Sequence, residues 1–178
     1  MGGVSELACE LPAGLEIDFG WLLGQALHAH ITVTKRAAEA LPSGHRGYQV
    51  LSAAVHESAR NQIEMARQLG LDRTVMVYLV DDLVKAGLVE RRPDPCDRRN
   101  RLIVATDLGR ARLADVSEAM ERAEAHLLAP LEEPERETLR QLLRRVVAGH
   151  IAHGGELPSL CEVAGNLQDA LQPERRDR

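Results

Sequence analysis

The middle of the chain carries a closely spaced series of helix start and stop signals, and these limit its possible folds more than any other feature. Asn61 and Glu64 have the spacing of a capping box, in which two side chains satisfy free backbone donors. Gly70 then stands where a helix ends in a left-handed residue. Asp72 is a good N-cap for the next helix, and Gly87 ends that helix. These signals predict two short helices joined by a tight turn.

A β-hairpin is predicted directly after the two helices. Residues 88–92 read as a strand, residues 93–97 form a turn with two prolines, and residues 101–105 alternate as a return strand. A helix-turn-helix followed at once by a hairpin is the pattern of a winged helix. The alternative is a generic α+β domain, but it leaves the agreement of caps, stops and hairpin unexplained.

Longer helices are predicted on both sides of this segment, over residues 15–41, 47–56, 107–127 and 135–153. Aromatic residues make up only 2% of the chain, so aliphatic residues must fill the core, and this composition favours helices. The predicted fold class is therefore mainly α with a small β-hairpin wing.

The charge distribution points to a nucleic-acid partner only when the chain is divided. The 178 residues have a net charge of −5, which taken whole argues against binding to nucleic acid. Residues 60–112, however, hold 11 basic and 8 acidic side chains, whereas both flanking regions are net acidic. The positive excess coincides with the winged helix, so we expect this region to face phosphates.

The second short helix is expected to lie in the major groove. Its outer face also carries Asp81 and Lys85, and the candidate DNA-binding residues on it are Arg73, Thr74, Val75, Val77 and Tyr78. Val75 and Val77 fit contacts to thymine methyl groups, but they fit packing under the hairpin equally well. The sequence leaves these two interpretations open.

The hairpin is dense in arginine, with Arg91, Arg92, Arg98, Arg99 and Arg101 against only two acids, Asp94 and Asp97. A charge run is usually a solvated surface, but one that follows a helix-turn-helix suits phosphate contact or insertion into the minor groove. We therefore add Asp97, Arg98, Arg99 and Arg101 to the candidate DNA-binding residues.

The stretch from about residue 47 to residue 112 resembles the multiple-antibiotic-resistance regulator (MarR) family of winged-helix transcription factors. The resemblance rests on residues 64–73, 79–83, 86–91 and 93–99, and on Thr106 and Gly109, and it extends over residues 15–150. It implies a homodimer whose first and last helices interlock, while two winged lobes bind a pseudo-palindromic DNA operator. It also implies that Asp97 orients Arg99 towards the minor groove. The chain departs from the family at Val75 and Val77, where Thr or Ser is common, and at Tyr78, where Arg is common.

The predicted organisation has five parts: a flexible N-terminus over residues 1–14, an N-terminal dimerisation helix over 15–45, a winged helix-turn-helix lobe over 46–112, C-terminal dimerisation helices over 113–153, and a polar, partly helical tail over 154–178. An apolar stripe on the last helix supports dimerisation rather than internal packing, because the small lobe is too limited to cover it. Its residues are Leu139, Leu142, Leu143, Val146 and Val147.

The resemblance further implies a small phenolic or anionic effector in a cleft between the lobe and the dimer helices. The candidate ligand-binding residues are Trp21, His28, Tyr48 and His56, with His30 nearby on the first helix. Cys9 before that helix and Cys96 in the basic turn leave a thiol-oxidation-responsive regulator as an alternative. His150, His153 and Cys161 lack further ligands, so no metal and no cofactor is expected.

The function predicted from the sequence is a dimeric, sequence-specific DNA-binding transcriptional regulator, a repressor that a small molecule releases from its operator. An enzyme is not expected, because the glycine-rich, GxSxG and HExxH patterns are all missing from the sequence. A winged-helix module that binds only proteins is a second alternative, although it has no need of an arginine-rich wing. The acidic start and the polar character of residues 19–34 predict a cytoplasmic protein without signal peptide or membrane span.

Overall fold

Six helices and a small sheet make up the part of the chain that the computed structural model describes, namely residues 11–56, 60–95, 97 and 99–155. The elements in chain order are α1 Phe19–Ala38, α2 Gly44–His56, β1 Arg60–Asn61, α3 Gln62–Gln68, α4 Arg73–Lys85, β2 Val89–Pro93, β3 Arg101–Ala105, α5 Asp107–Leu127 and α6 Glu133–Ala152. The order confirms a mainly helical winged helix-turn-helix.

The first helix of the helix-turn-helix begins and ends through the predicted local interactions. Asn61 Oδ1 accepts hydrogen bonds from the N–H groups of Ile63 and Glu64 at 3.1 and 3.0 Å. The carboxylate of Glu64 accepts from the N–H of Asn61 at 3.4 Å, which completes the capping box. Gly70 follows α3 with φ 62°, a left-handed conformation that costs glycine little.

The second helix of the pair, α4, is capped by Asp72. Its Oδ1 accepts from the N–H groups of Thr74 and Val75 at 2.7 and 3.2 Å. The hydrogen bonds from Val75 and then Thr74 hold the pKa of the Asp72 carboxyl below its usual range. Gly87 ends the turn after α4 with φ 72°, as predicted.

One face of α4 forms the centre of the hydrophobic core. Its buried residues are Met76, Leu79, Val80 and Leu83, as predicted. They belong to one buried cluster with residues from α2, α3, the sheet and α5, among them Leu51, Met65, Val89, Ile103 and Leu113. Because this core fixes one face of α4 in place, the opposite face is directed away from the lobe.

The wing has one strand more than the predicted hairpin. β2 and β3 are antiparallel, with Arg91 opposite Ile103 and Pro93 opposite Arg101. On the other edge of β3, β1 places Arg60 opposite Ile103, so the strand order is β1–β3–β2. The predicted hairpin is confirmed. The additional strand β1 was not predicted, because a two-residue strand has no alternation to detect and its partner is distant in sequence.

Several predicted helix ends were wrong, because the residues that cap or open these helices lie at other positions than expected. α1 begins at Phe19 rather than residue 15, because Asp18 Oδ1 accepts from the N–H of Trp21 at 2.6 Å. α6 begins at Glu133 rather than residue 135, because Pro134 fits the first helical turn, where no donor is needed.

The wing and α5 meet at a close backbone contact. Thr106 Oγ1 accepts from the N–H of Gly109 at 3.0 Å and donates to the carbonyl of Gly87 at 2.7 Å. A Cβ atom at Gly109 would lie 2.0 Å from the carbonyl oxygen of Leu88, so only glycine allows this approach. The start of α5 is therefore fixed against the base of the wing.

α6 lies outside the core. Each of its residues is described, and none of them is buried by the rest of the described chain. Its exposed apolar side chains are Leu139, Leu142, Leu143, Val146, Val147 and Ile151, and the first turns of α1 expose Phe19, Leu22 and Leu23. Exposed apolar side chains that follow one face of a helix, as those of α6 do, are typical of an interface.

Candidate nucleic-acid interface and ligand cleft

The outer face of α4 presents most of the predicted DNA-binding side chains to solvent. Arg73 and Thr74 are exposed, and Val77 and Tyr78 are 42% and 66% exposed. Val75 is half-buried and packs against the core. The structure therefore distinguishes the two valines whose contacts the sequence left open. Val75 packs against the core of the lobe, and Val77 is exposed on the outer face of α4.

The tip of the wing is organised by Asp97. Its Oδ1 accepts from the backbone N–H of Arg99 at 3.0 Å, and its Oδ2 accepts from the side-chain amide of Asn100 at 3.3 Å. The N–H of Asn100 also donates to the carbonyl of Asp97 at 2.9 Å. Asp97 thus fixes the backbone of Arg99, whose side chain is exposed to solvent.

The arginines of the wing fall into two groups. At its base, Arg91 forms an ion pair with Asp81 at 2.6 Å, and Arg92 forms one with Glu90. Nearer the tip, Arg99 and Arg101 are exposed, and within the described ranges neither is paired with an acidic side chain. Unneutralised cations at the tip are suited to phosphates or a narrow minor groove.

A further basic side chain, which the sequence analysis missed, lies on α3. Arg67 and Arg73 both line a groove of about 500 Å³ that also contains Asn61 and Ile63. In a helix-turn-helix the first helix crosses the DNA backbone, so Arg67 is placed for a phosphate. The sequence signal that could have identified Arg67 as a candidate for DNA contact is its position in α3, six residues after the N-cap Asn61.

An open cleft of about 700 Å³ lies between α1, α2 and α5. Its lining residues are His30, His45, Tyr48, Gln49, Val55, His56, Arg110, Leu113, Ala114, Ser117, Met120, Glu121 and Glu124. Tyr48 and His56 lie where the sequence analysis predicted a ligand site, and so does His30. Trp21 is half-buried and His28 is exposed on α1, and neither lines this cleft.

Weak polar contacts join the helices that line the cleft. The hydroxyls of Tyr48 and Ser117 are 3.3 Å apart, and Arg110 Nη1 donates to the carbonyl of Val55 at 3.4 Å. At the far end, His30 Nδ1 lies 3.6 Å from a carboxylate oxygen of Glu124. All three contacts are long, so a ligand that offers better partners can replace them.

Gln49 gives the cleft a specific polar feature. Its Oε1 atom is buried and has no hydrogen-bond partner within the described part of the chain. An unsatisfied acceptor is costly, and a ligand hydroxyl or N–H would satisfy it. The cleft therefore combines an acceptor at Gln49 with cationic and imidazole groups at Arg110 and His56.

His45 lies at the edge of the cleft and contacts α1. Its Nε2 is 2.8 Å from Thr34 Oγ1, and the same hydroxyl donates to the carbonyl of His30 at 2.7 Å. Burial lowers the pKa of His45 below its ordinary value of 6.5, and the nearby charge of His30 lowers it further.

The lowered pKa of His45 leads to an expected pH dependence of stability. Above pH 6.5 the group is neutral in both states. Below it the unfolded chain binds the proton more strongly, so stability falls until the pH passes the lowered folded pKa. Chemical denaturation between about pH 8 and pH 5 should show a shallower loss of stability in His45→Gln than in the unchanged chain.

The matched control for this measurement is His126→Gln, at the exposed end of α5. This variant should keep the pH dependence of the unchanged chain. Equal slopes in all three proteins would show that His45 does not contribute.

Some sequence predictions fall on residues outside the described ranges. These are Arg98, the three cysteines Cys9, Cys96 and Cys161, and parts of the two terminal segments. Within the described ranges, no helix is long and apolar enough to cross a membrane, and no cluster of three or more His, Cys, Asp or Glu side chains is placed to bind a metal.

Comparison with known proteins relates this geometry to a family. A family profile with the description "MarR family" matches residues 48–100. A protein of Thauera aromatica named for transcriptional regulation of the hcr operon is 31% identical over 99 residues, which cover 56% of this chain and 60% of that protein. The chain spans about 60% of the length of the curated relatives it matches.

Solved structures match over a larger part of the chain. A MarR-family transcriptional regulator from Rhodococcus sp. RHA1 is 30% identical with a TM-score of 0.67, covering 75% of this chain and 96% of that one. CouR from Rhodococcus jostii RHA1, solved with p-coumaroyl-CoA, is 32% identical with a TM-score of 0.64, covering 75% and 94%. The repressor CouR has also been solved on a 23-mer DNA duplex, where identity is 28%, the TM-score 0.68 and coverage 78% and 99%. Fold, motifs and similarity agree, and the chain belongs to the MarR family of transcriptional regulators.

Proposed function

We propose that the protein is a homodimeric transcriptional repressor that binds a pseudo-palindromic DNA operator. The observation that carries this proposal is the combination of an exposed outer face on α4 with two arginines near the wing tip, Arg99 and Arg101, that have no acidic partner among the described residues. One element suits the major groove and the other the minor groove. The DNA complex of CouR supports the same use of this fold.

The apolar surface of α6 supports the homodimeric part of the proposal. A helix with an exposed apolar stripe is stable when a partner covers it, and a second copy of the chain offers the same stripe. In a two-fold dimer the two α4 helices would lie one DNA turn apart, at about 34–36 Å.

The cleft between α1, α2 and α5 supports control by a small molecule. We propose that a phenolic or anionic ligand enters it, because the cleft combines apolar walls with Arg110, His56 and the unsatisfied acceptor of Gln49. The p-coumaroyl-CoA complex of CouR supports this class of ligand. Binding would replace the weak contacts across the cleft, shift the lobes and release the operator.

In vitro selection from a random library of DNA duplexes tests the proposal. The full chain should enrich inverted repeats whose half-site centres are about 10 base pairs apart. A footprint on the DNA upstream of its own gene should then show two protected half-sites. Adding p-hydroxybenzoate or p-coumaroyl-CoA should weaken the footprint. No enrichment of any sequence would contradict DNA recognition, and a footprint unchanged by these ligands would contradict control by this class.

A further inference from the structure

An ion pair joins the recognition helix α4 to the base of the wing. Asp81 Oδ1 lies 2.6 Å from Arg91 Nη2. Asp81 lies in the third turn of α4, on the same face as Thr74 and Tyr78, which are candidates for DNA contact. The carboxylate therefore belongs to the surface that faces DNA, although its charge has the wrong sign for phosphates.

Arg91 lies in β2, so its contact with α4 can restrain the position of the wing. It lies opposite Ile103, and Ile103 and Val89 are buried. Because strand side chains alternate, Arg91, Ile103 and Arg101 share the face of the sheet directed towards the lobe. Arg101 is one same-face step further out than Ile103, a distance of about 7 Å.

Within the described ranges, the strand pairing of the wing becomes narrower towards its tip. β1 pairs only with Leu102 and Ile103, so the ribbon beyond them has two strands. A two-stranded ribbon is marginally stable by itself, and Arg99 and Arg101 lie on this part. A contact that fixes the ribbon against α4 will therefore decide where these two arginines are held.

The ion pair matters for geometry more than for folding. The side chains of Asp81 and Arg91 are 40% and 33% exposed, and ion pairs at such positions contribute little to the stability of a fold. The buried cluster that includes Val89 and Ile103 already attaches the sheet to the lobe. The additional effect of the ion pair is to restrain the angle between α4 and the wing.

We propose that Asp81 and Arg91 are a positioning pair that sets the angle between α4 and the wing, so that one half-site is contacted in the major and minor grooves together. The inference rests on the proposed function. In this arrangement Arg91 neutralises Asp81 rather than a phosphate, and Arg99 and Arg101 supply the contacts to DNA.

The first test is Asp81→Asn, measured on the duplex that the unchanged chain selects and on a shuffled duplex of the same composition. Affinity for the selected duplex should fall about tenfold, because the wing loses its fixed angle. Affinity for the shuffled duplex should stay equal or rise, because the variant has one negative charge fewer. If Asp81 only repels DNA, both affinities will rise, and that result would overturn the proposal.

The matched control is Asp82→Asn, which makes the same charge change on the same helix. Asp82 contacts Lys85 and Ser43, each at 3.4 Å, and both lie outside the wing. This variant should therefore keep the ratio of selected to shuffled affinity. A ratio that falls equally in the two variants would overturn the positioning role.

The exchange of the two charges, Asp81→Arg with Arg91→Asp, supplies the second test. It should recover most of the affinity that Asp81→Asn loses, because the ion pair is restored with its polarity reversed. Thermal unfolding of every variant should match the unchanged chain. No recovery from well-folded exchanged protein contradicts the proposal, whereas failure of the unchanged chain to select any duplex contradicts the proposed function itself.

Discussion

Replacing Arg99 with alanine is expected to weaken binding to the selected operator by about thirtyfold or more, because each of the two copies in the dimer loses a contact worth about 1–3 kcal/mol. Asp97 holds the backbone of Arg99 through a hydrogen bond of 3.0 Å, and the exposed Arg99 side chain is not paired with an acidic side chain within the described ranges. Fluorescence anisotropy with labelled duplex, repeated over a range of salt concentrations, measures both the affinity and the number of phosphate contacts.

Arg122→Ala is the charge-matched control for this experiment. Arg122 lies on α5, far along the chain from the wing, and forms an ion pair with Glu118. Its loss changes the net charge by the same amount without touching the wing. Equal effects of the two substitutions would mean that Arg99 acts only through net charge, and the assignment of the wing tip would be wrong.

Two acidic substitutions in the stripe of α6, Leu142→Glu with Val146→Glu, are expected to separate the dimer. These side chains are 50% and 58% exposed and lie one turn apart on the same helix face. Burying two carboxylates in the interface is unfavourable, so the copies separate. Operator affinity should then fall by roughly 10²–10⁴-fold, because the half-sites are no longer bound by linked lobes.

The opposite face of α6 provides the control, Gln141→Glu with Ala148→Glu, which introduces the same two charges. Sedimentation velocity at micromolar protein should show dimers for the unchanged chain and the control, and monomers for the stripe variant. Circular dichroism should show helices in all three, because α6 makes no contribution to the buried core of the described chain. A stripe variant that still sediments as a dimer would place the interface elsewhere.

The sequence predicts best those parts of the fold that depend on neighbours in the chain. Asn61, Asp72 and Thr106 cap their helices through hydrogen bonds to residues two or three positions away, and such contacts leave a readable pattern. The strand β1 leaves none, because its two residues pair with β3 far along the chain. Local caps were therefore predictable, whereas the third strand was not.

The same distinction between local and long-range contacts applies to the candidate sites. The sequence showed an arginine-rich wing. It could not show that Arg91 and Arg92 are paired with Asp81 and Glu90, whereas Arg99 has no acidic partner in the described part of the chain. In the cleft, which side chains face inward depends on how α1, α2 and α5 cross. That arrangement includes Gln49, Arg110 and Glu124, which the sequence analysis missed, and leaves out Trp21 and His28.

The helix α2 separates the buried core from the cleft, and its thickness, about 10 Å, is that of a single helix. Val50, Leu51 and Ala54 belong to the buried core that supports α4, whereas His45, Gln49 and His56 line the cleft. The two sets occupy different faces, so they can diverge separately during evolution. New effector preferences can arise on one face while the core on the other stays unchanged. Because α2 contributes to both the core and the cleft, a displacement of the whole helix would move the core of the winged lobe directly, without a relay of intermediate residues.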